Sequence, residues 1–263
     1  KTCILRCTLA EIDGSMCVVP HLDVRPRTFR GRYGPPREPD ISRATKLEVY
    51  GQYLPRKAIE CFSQASELRD LAVCDIALEE NALSPLSSCQ NIKRLYMGGP
   101  NFEAKDLLPL YQFQCELKEM VFSDSDESYH LFSHFLADSE AQFHVPDCMK
   151  TLEEFVFVGG CGWFNEGYLA MFGRMPDLKR LRLDDTGIKP GHMHRLPMMD
   201  NLERLSLTGN AIVDKDLEAI SRLRRLKILR LSRTAISSEG LKQLAKLKEL
   251  ETLVLSENFN IRS

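Results

Sequence analysis

The spacing LxxLxL recurs four times without slip near the end of this chain. Leu178, Leu181 and Leu183 are followed by Leu202, Leu205 and Leu207, then by Leu226, Leu229 and Leu231, then by Leu250, Leu253 and Leu255. Three positions after each triplet stands a small hydrogen-bonding residue: Thr186, Asn210, Thr234 and Asn258. Two positions later come Ile188, Ile212 and Ile236, with Ile261 one position out of frame. Self-similarity at a fixed period of roughly 20–50 residues signals a solenoid. The last two leucines of each triplet, two apart, share one face of a strand, so Arg182 points away from Leu181 and Leu183. Between the strands the period changes: Leu217, Ile220 and Leu223, and again Leu241, Leu244 and Leu247, fall at i, i+3, i+6. That spacing predicts short amphipathic helices over 214–223 and 238–247, with Asp214 and Ser238 as N-caps. One such unit cannot bury its own apolar face, whereas stacked units can.

The pattern resembles the leucine-rich repeat family. The fold expected is an α/β solenoid, with a curved parallel β-sheet on the concave face and short helices on the convex face. The run Gly240–Leu255 is similar to the helix-bearing repeats of intracellular members, among which substrate receptors of the F-box type are prominent. The resemblance covers residues 44–261 and implies that the repeats hold a protein destined for ubiquitination. Residues 1–43 carry neither an F-box pattern nor an elongin-binding box.

Weaker copies of the repeat precede the regular ones. Strands are expected from 44, 68, 92, 117, 152, 178, 202, 226 and 250, about nine repeats in a unit spanning 44–263. Residues 1–43 read as an N-terminal cap. Two apolar runs flank Asp13-Gly14, a hairpin signal. Cys3, Cys7, Cys17 and His21 mirror each other about that turn, a pattern that fits cysteines facing a capping core and also allows a zinc site, although the spacing is not a standard zinc-finger one. Five arginines and four prolines between Arg25 and Asp40 exclude a helix or interior strand. With Phe29 and Tyr33 interleaved, this loop could grip RNA or an acidic partner, or be a solvated loop. An insert at 124–146 breaks the period with an acidic first part and an aromatic second part. Its His130, His134 and Asp138 fall at i, i+4, i+8, a spacing open to a metal or to simple packing. Gly159–Gly167 contains Trp163, the single tryptophan, either a loop anchor or a partner contact.

Composition narrows the function. The net charge of −2 gives no global pull toward nucleic acid or an acidic membrane. No apolar run approaches the ~20 residues that span a bilayer. The nine cysteines come without a dense C-terminal cysteine cap, which points to reduced thiols in an intracellular protein, cytoplasmic or nuclear. No nucleophile elbow, zinc-protease helix, phosphate loop or dinucleotide fingerprint is present, so no enzyme and no cofactor is expected. The expected role is non-enzymatic capture of a protein on the concave face, as a ubiquitin-ligase substrate receptor. The alternatives are a scaffold or inhibitor without a ubiquitin role and an RNA-associated factor using the Arg25–Arg37 loop. Because no polar cap repeat follows Leu250–Leu255, either a further short tail or another domain, adaptor or second subunit is expected to cover Leu253 and Leu255.

Writing the outward strand positions as columns locates the partner site. Arg180, Arg182, Arg204 and Arg230 gather on three adjacent strands. Val121, Val156 and Val158 lie beside them, and Tyr96, Trp163 and Asp184 complete the expected set. Arginine next to an apolar patch is interface composition. The same columns also allow a plain solvated face, with Asp184 and Glu154 pairing the arginines.

Overall fold

A computed structural model describes residues 2–12, 15–23, 44–51, 53–54, 60, 65–74, 77–99, 104–123, 145–159 and 166–261. In chain order its strands are β1 (Thr2–Ile12), β2 (Ser15–Asp23), β3 (Lys46–Gly51), β4 (Tyr53–Leu54), β5 (Asp70–Cys74), β6 (Ala77–Leu78) and β7 (Arg94–Gly98). They continue as β8 (Glu119–Ser123), β9 (Glu154–Val158), β10 (Arg180–Asp184), β11 (Arg204–Ser206), β12 (Ile228–Arg230) and β13 (Thr252–Val254). One sheet runs in the order β13-β12-β11-β10-β9-β8-β7-β5-β3-β1-β2, and β4 pairs with β6 in a small second sheet. The nine strands at the expected positions are parallel neighbours, as a chain that advances one strand per repeat must make them.

Equal repeat length sets the register. Leu181 pairs with Leu205, Leu205 with Leu229 and Leu229 with Leu253. The longer step before β9 leaves this undisturbed: Phe155 pairs with Met120 on one side and Leu181 on the other. A surface insertion can lengthen a loop without moving the strands it joins. The inward positions make a continuous core from Ala44 to Leu247, with Leu205 at 1% exposure. In the middle of the arc the core turns aromatic. Phe155 meets Phe172 edge-on at 5.2 Å and Phe122 at 5.9 Å, favourable tilted geometries.

The small polar column closes each turn. Asn210 is buried; its Oδ1 accepts from Thr186 N (3.2 Å), Thr186 Oγ1 (3.0 Å) and Ile188 N (3.0 Å). Its Nδ2 donates to Leu183 O (2.6 Å) and Leu207 O (3.0 Å). Asn258 repeats the arrangement one pair further on, accepting from Thr234 N and Oγ1 at 2.8 Å each and donating to Leu231 O at 2.7 Å. Each asparagine thus serves two repeats at once, satisfying backbone groups that a buried turn would otherwise orphan.

The connecting segments depart from the expected helices. Among the described residues α1 (Glu166–Met171), α2 (Asp216–Ile220) and the single position Glu60 are α-helical; 84–88, 104–112, 172–174, 192–195 and 240–246 are 3-10 turns. The same i, i+3, i+6 spacing is thus met by α structure at 216–220 and by 3-10 structure, in which residues i and i+3 eclipse, at 240–246. The expected N-caps are also corrected. Lys215 and Glu239 occupy the cap positions, with no side-chain cap bond. Asp214 instead accepts from Ser237 N (2.7 Å) and Ser237 Oγ (2.6 Å) in the next repeat. Asp216, buried inside α2, accepts from Val213 N and Gly191 N at 3.1 Å each and Met193 N at 3.3 Å. These aspartates tie neighbouring turns together rather than start helices.

At the other end β1 and β2 form the expected antiparallel hairpin, and β1 adds to the sheet by pairing in parallel with β3. The register separates the candidate zinc ligands. Cys3 pairs with Leu47 and Cys7 with Gly51, whereas Cys17 pairs with Ala10 and His21 with Arg6. Strand alternation places positions 3 and 7 in one phase and positions 10 and 6, with their partners 17 and 21, in the other. The four positions therefore do not share a face of the hairpin. At the opposite edge, in β13, Leu253 is 38% exposed although its equivalents Leu205 and Leu229 are buried.

Candidate functional site

The outward face of the sheet is built by the residues between the core leucines. Parallel pairing in register stacks them into rows at about 4.8 Å per strand. One row runs Lys46, Asp70, Arg94, Glu119, Glu154, Arg180, Arg204, Ile228, Thr252. The next runs Glu48, Ala72, Tyr96, Val121, Val156, Arg182, Ser206, Arg230, Val254. The four expected arginines do come together: Arg180, Arg182, Arg204 and Arg230, with Val156 and Ser206, line one concavity of ≈ 200 Å³.

Two of the four are already paired. Arg180 Nε donates to Glu154 Oε2 at 2.6 Å and Arg182 Nε to Asp184 Oδ2 at 2.5 Å. Arg204 and Arg230 are exposed, and neither guanidinium has a carboxylate within ion-pair reach among the described residues. The solvated-face alternative therefore describes half of the cluster. Asp184 is a correction. It is 5% exposed, and its Oδ1 also accepts from Ser206 Oγ (2.6 Å) and Thr208 N (3.0 Å). A carboxylate so committed fixes Arg182 and the β11 turn and is not available to a partner.

Val121, Val156 and Val158 are half-buried, packed beside one another on β8 and β9. Tyr96 is exposed at 38%, with its hydroxyl 2.9 Å from Ser123 Oγ. It lines a second and larger concavity, ≈ 710 Å³, bounded by Lys46, Glu48, Asp70, Arg94, Glu119 and Val121. Here Arg94 makes a two-pronged pair with Asp70 (2.6 and 2.9 Å) and Lys46 reaches Glu48 at 2.5 Å. The sequence columns contain these residues, but the arginine cluster drew attention to the opposite half. In the columns Glu119 and Asp70 flank Arg94 from the two neighbouring strands, and Glu119 adds to the negative field on that guanidinium. Trp163, the insert residues 124–144 with His130, His134 and Asp138, and the Arg25–Arg37 loop lie outside the described residues.

No group of three or more His, Cys, Asp or Glu among the described residues could hold a metal ion. No helix among them is long and apolar enough to cross a membrane. The described cysteines with placed side chains, Cys74, Cys89, Cys115 and Cys148, are buried and reduced. Burial pushes the Cys115 thiol up to about 11 and the Cys148 thiol up to about 12, so both stay protonated and inert near neutrality.

Residues 200–221 and 223–245 match the family described as Leucine Rich repeat. Comparison with curated proteins finds none that matches. Among solved structures the chain is similar to internalin C2 from Listeria monocytogenes, at 19% identity and a TM-score of 0.41 over 81% of this chain and 69% of that one. It is similar to a chain of the mouse RP105/MD-1 complex at 18% identity and a TM-score of 0.41, over 82% of this chain and 31% of that one. A chain of the TLR13–ssRNA13 complex is 19% identical with a TM-score of 0.48, over 81% of this chain and 29% of that one. The chain thus spans about a third of the length of two of these proteins. Nine parallel strands in one register, an asparagine–threonine column closing the turns and two repeats that match the family itself make this chain a leucine-rich-repeat solenoid.

Proposed function

We propose that the protein is a non-enzymatic protein-interaction module whose concave sheet takes an acidic and apolar segment of a partner protein. The observation that carries this reading is the pair Arg204 and Arg230, uncompensated cations at a ≈ 200 Å³ concavity edged by Val156. A guanidinium left without a carboxylate offers a planar fork for a partner's acidic group, and the adjacent valines supply apolar contact. Arg180 and Arg182, already held by Glu154 and Asp184, frame the site.

Within this reading the role is that of a substrate receptor in an intracellular ubiquitin ligase. The similarity of the Gly240–Leu255 run to receptor repeats and the buried, reduced cysteines support it. The division into a cap of residues 1–43 and a solenoid of 44–263 belongs to the same proposal, with the insert at 124–146 as the rim of the site. Leu253 and Phe259, 38% and 91% exposed near β13, are where an adaptor or second subunit would contact the repeats. A plain scaffold or inhibitor would use the same concave residues and bring no adaptor.

Charge reversal tests the site. Arg182→Glu would set a second carboxylate against buried Asp184, so the informative variant combines Arg204→Glu with Arg230→Glu. Affinity capture from cells should lose the partners held by the wild type while the melting temperature moves by no more than about 2–4 °C. Partners retained by a folded double variant would place the site elsewhere. Adaptor subunits among the captured proteins would support the ligase role over the scaffold role.

A further inference from the structure

The surplus positive charge at the ≈ 200 Å³ concavity is confined to one place. Glu154 holds Arg180 and Asp184 holds Arg182, so Arg204 and Arg230 carry the surplus among the described residues. The register fixes how those two stand. Arg204 pairs with Ile228 and Arg230 with Ser206, so they lie on adjacent strands two residues out of step. With strands about 4.8 Å apart and a rise of about 3.3 Å per residue, their Cα atoms are about 8 Å apart on that diagonal. Ser206 fills the row position between Arg182 and Arg230. It is small and 7% exposed, and its hydroxyl is spent on Asp184 Oδ1 at 2.6 Å. The floor between the arginines is therefore open and makes no polar demand of its own.

Two cations that share one concavity call for two negative charges at one point. A single carboxylate supplies one and leaves the other guanidinium uncompensated. A phosphoryl group carries about −1.5 to −2 near pH 7 and three acceptor oxygens, enough for both guanidinium forks. We infer that the acidic element recognised here is a phosphorylated serine or threonine in an extended segment of the partner protein. Its phosphate lies over Ser206 between Arg204 and Arg230, and an apolar side chain further along the segment reaches Val156. A nucleic-acid strand is the poorer fit, because it repeats its phosphates and needs a track of cations to follow them. Here the free cations stop at two. The arginines toward β9 are paired, and the neighbouring positions on β13 are Thr252 and Val254. The inference rests on the concave face being the partner site and adds the chemistry of the partner's acidic group.

Fluorescence anisotropy with the full chain and labelled, capped peptides tests it. The probe is Ala-Val-Ala-phosphoserine-Ala-Val-Ala. Its controls carry serine, glutamate or Glu-Ala-Glu at the centre, the last placing two charges at two points. At low salt the phosphoserine peptide should bind roughly tenfold or more tighter than the serine peptide and roughly threefold or more tighter than either acidic one, the scale of one or two charge-assisted contacts. Added salt should narrow both gaps. Arg204→Gln and Arg230→Gln should each lose part of the phosphoserine gain and together all of it, with the melting temperature within about 2–4 °C of the wild type. Equal affinity for the Glu-Ala-Glu peptide, no detectable binding of the phosphoserine peptide, a gain that survives the double substitution, or tighter binding of a labelled oligouridylate would overturn the inference. Affinity capture separates it from the reading beneath it: phosphatase treatment of the lysate should abolish capture of the partner. If capture survived phosphatase but not Arg204→Glu with Arg230→Glu, the phosphate would fall and the concave site would stand. If capture also survived that double variant, both would fall.

Discussion

Gly209→Ala probes how the repeats are tied together. The residue that leaves each regular strand turn has positive φ: Asp185 (55°), Gly209 (74°), Arg233 (53°) and Glu257 (60°). Over Gly209 the side chains of Asp185 and Arg233 meet, with Arg233 Nη2 3.0 Å from Oδ1 and 2.9 Å from Oδ2, so the pair bridges two repeats. A Cβ at position 209 would overlap Asp185 Oδ1 and stand 2.7 Å from its Cγ and 3.1 Å from Arg233 Nη2. Two costs follow. A side chain in left-handed backbone costs about 1–2 kcal/mol. Displacing an ion pair whose members are 34% and 47% exposed costs only about 0.2–1 kcal/mol, because solvent screens it. Gly209→Ala should therefore destabilise by about 1–3 kcal/mol in urea unfolding monitored by circular dichroism. The decisive measurement is the same substitution in an Asp185→Ala background, where the overlap is gone and the backbone cost remains. The second cost should be smaller by about 0.2–1 kcal/mol. Equal costs in the two backgrounds, or no effect of Gly209→Ala at all, would refute the clamp.

Three further outcomes follow from the same packing. Leu205→Ala, at a position 1% exposed between two neighbouring leucines, should cost roughly 2–5 kcal/mol in the same unfolding assay. Asn210→Ala removes the acceptor of Thr186 N and Ile188 N and the donor to Leu183 O, and each buried group left unsatisfied costs about 1–3 kcal/mol. It should therefore melt well below Gly209→Ala. Cys115 and Cys148 should resist iodoacetamide at pH 8 in the native state and react once unfolded, as read by peptide mass. Because burial raises these thiols from 9.0 to about 11 and about 12, their contribution to stability is intact below pH 9 and is lost as the pH climbs toward 12. Rapid native alkylation at pH 8 would mean that the convex turns open locally.

The strands, their order and the composition of both faces of the sheet were legible because a fixed repeat length maps sequence position onto spatial column. Leu181, Leu205, Leu229 and Leu253 are 24 residues apart and become neighbours one strand apart, so reading the periodic positions amounts to reading the sheet. The gathering of Arg180, Arg182, Arg204 and Arg230 followed from the same mapping. Tertiary structure alone decided which of those charges are spent. Asp184 and Glu154 stand in similar outward positions, yet Asp184 turns into the β11 loop to hold Ser206 and Thr208 while Glu154 stays on the face beside Arg180. Side-chain direction of this kind is set by unsatisfied donors in the next repeat, which a column of letters does not reveal. The Asp185–Arg233 bridge was hidden for a related reason: it spans two repeats and needs left-handed backbone at residues that are not glycine. The same spacing in threes became α-helical at 216–220 and 3-10 at 240–246, so the apolar period of a single segment did not decide between the two.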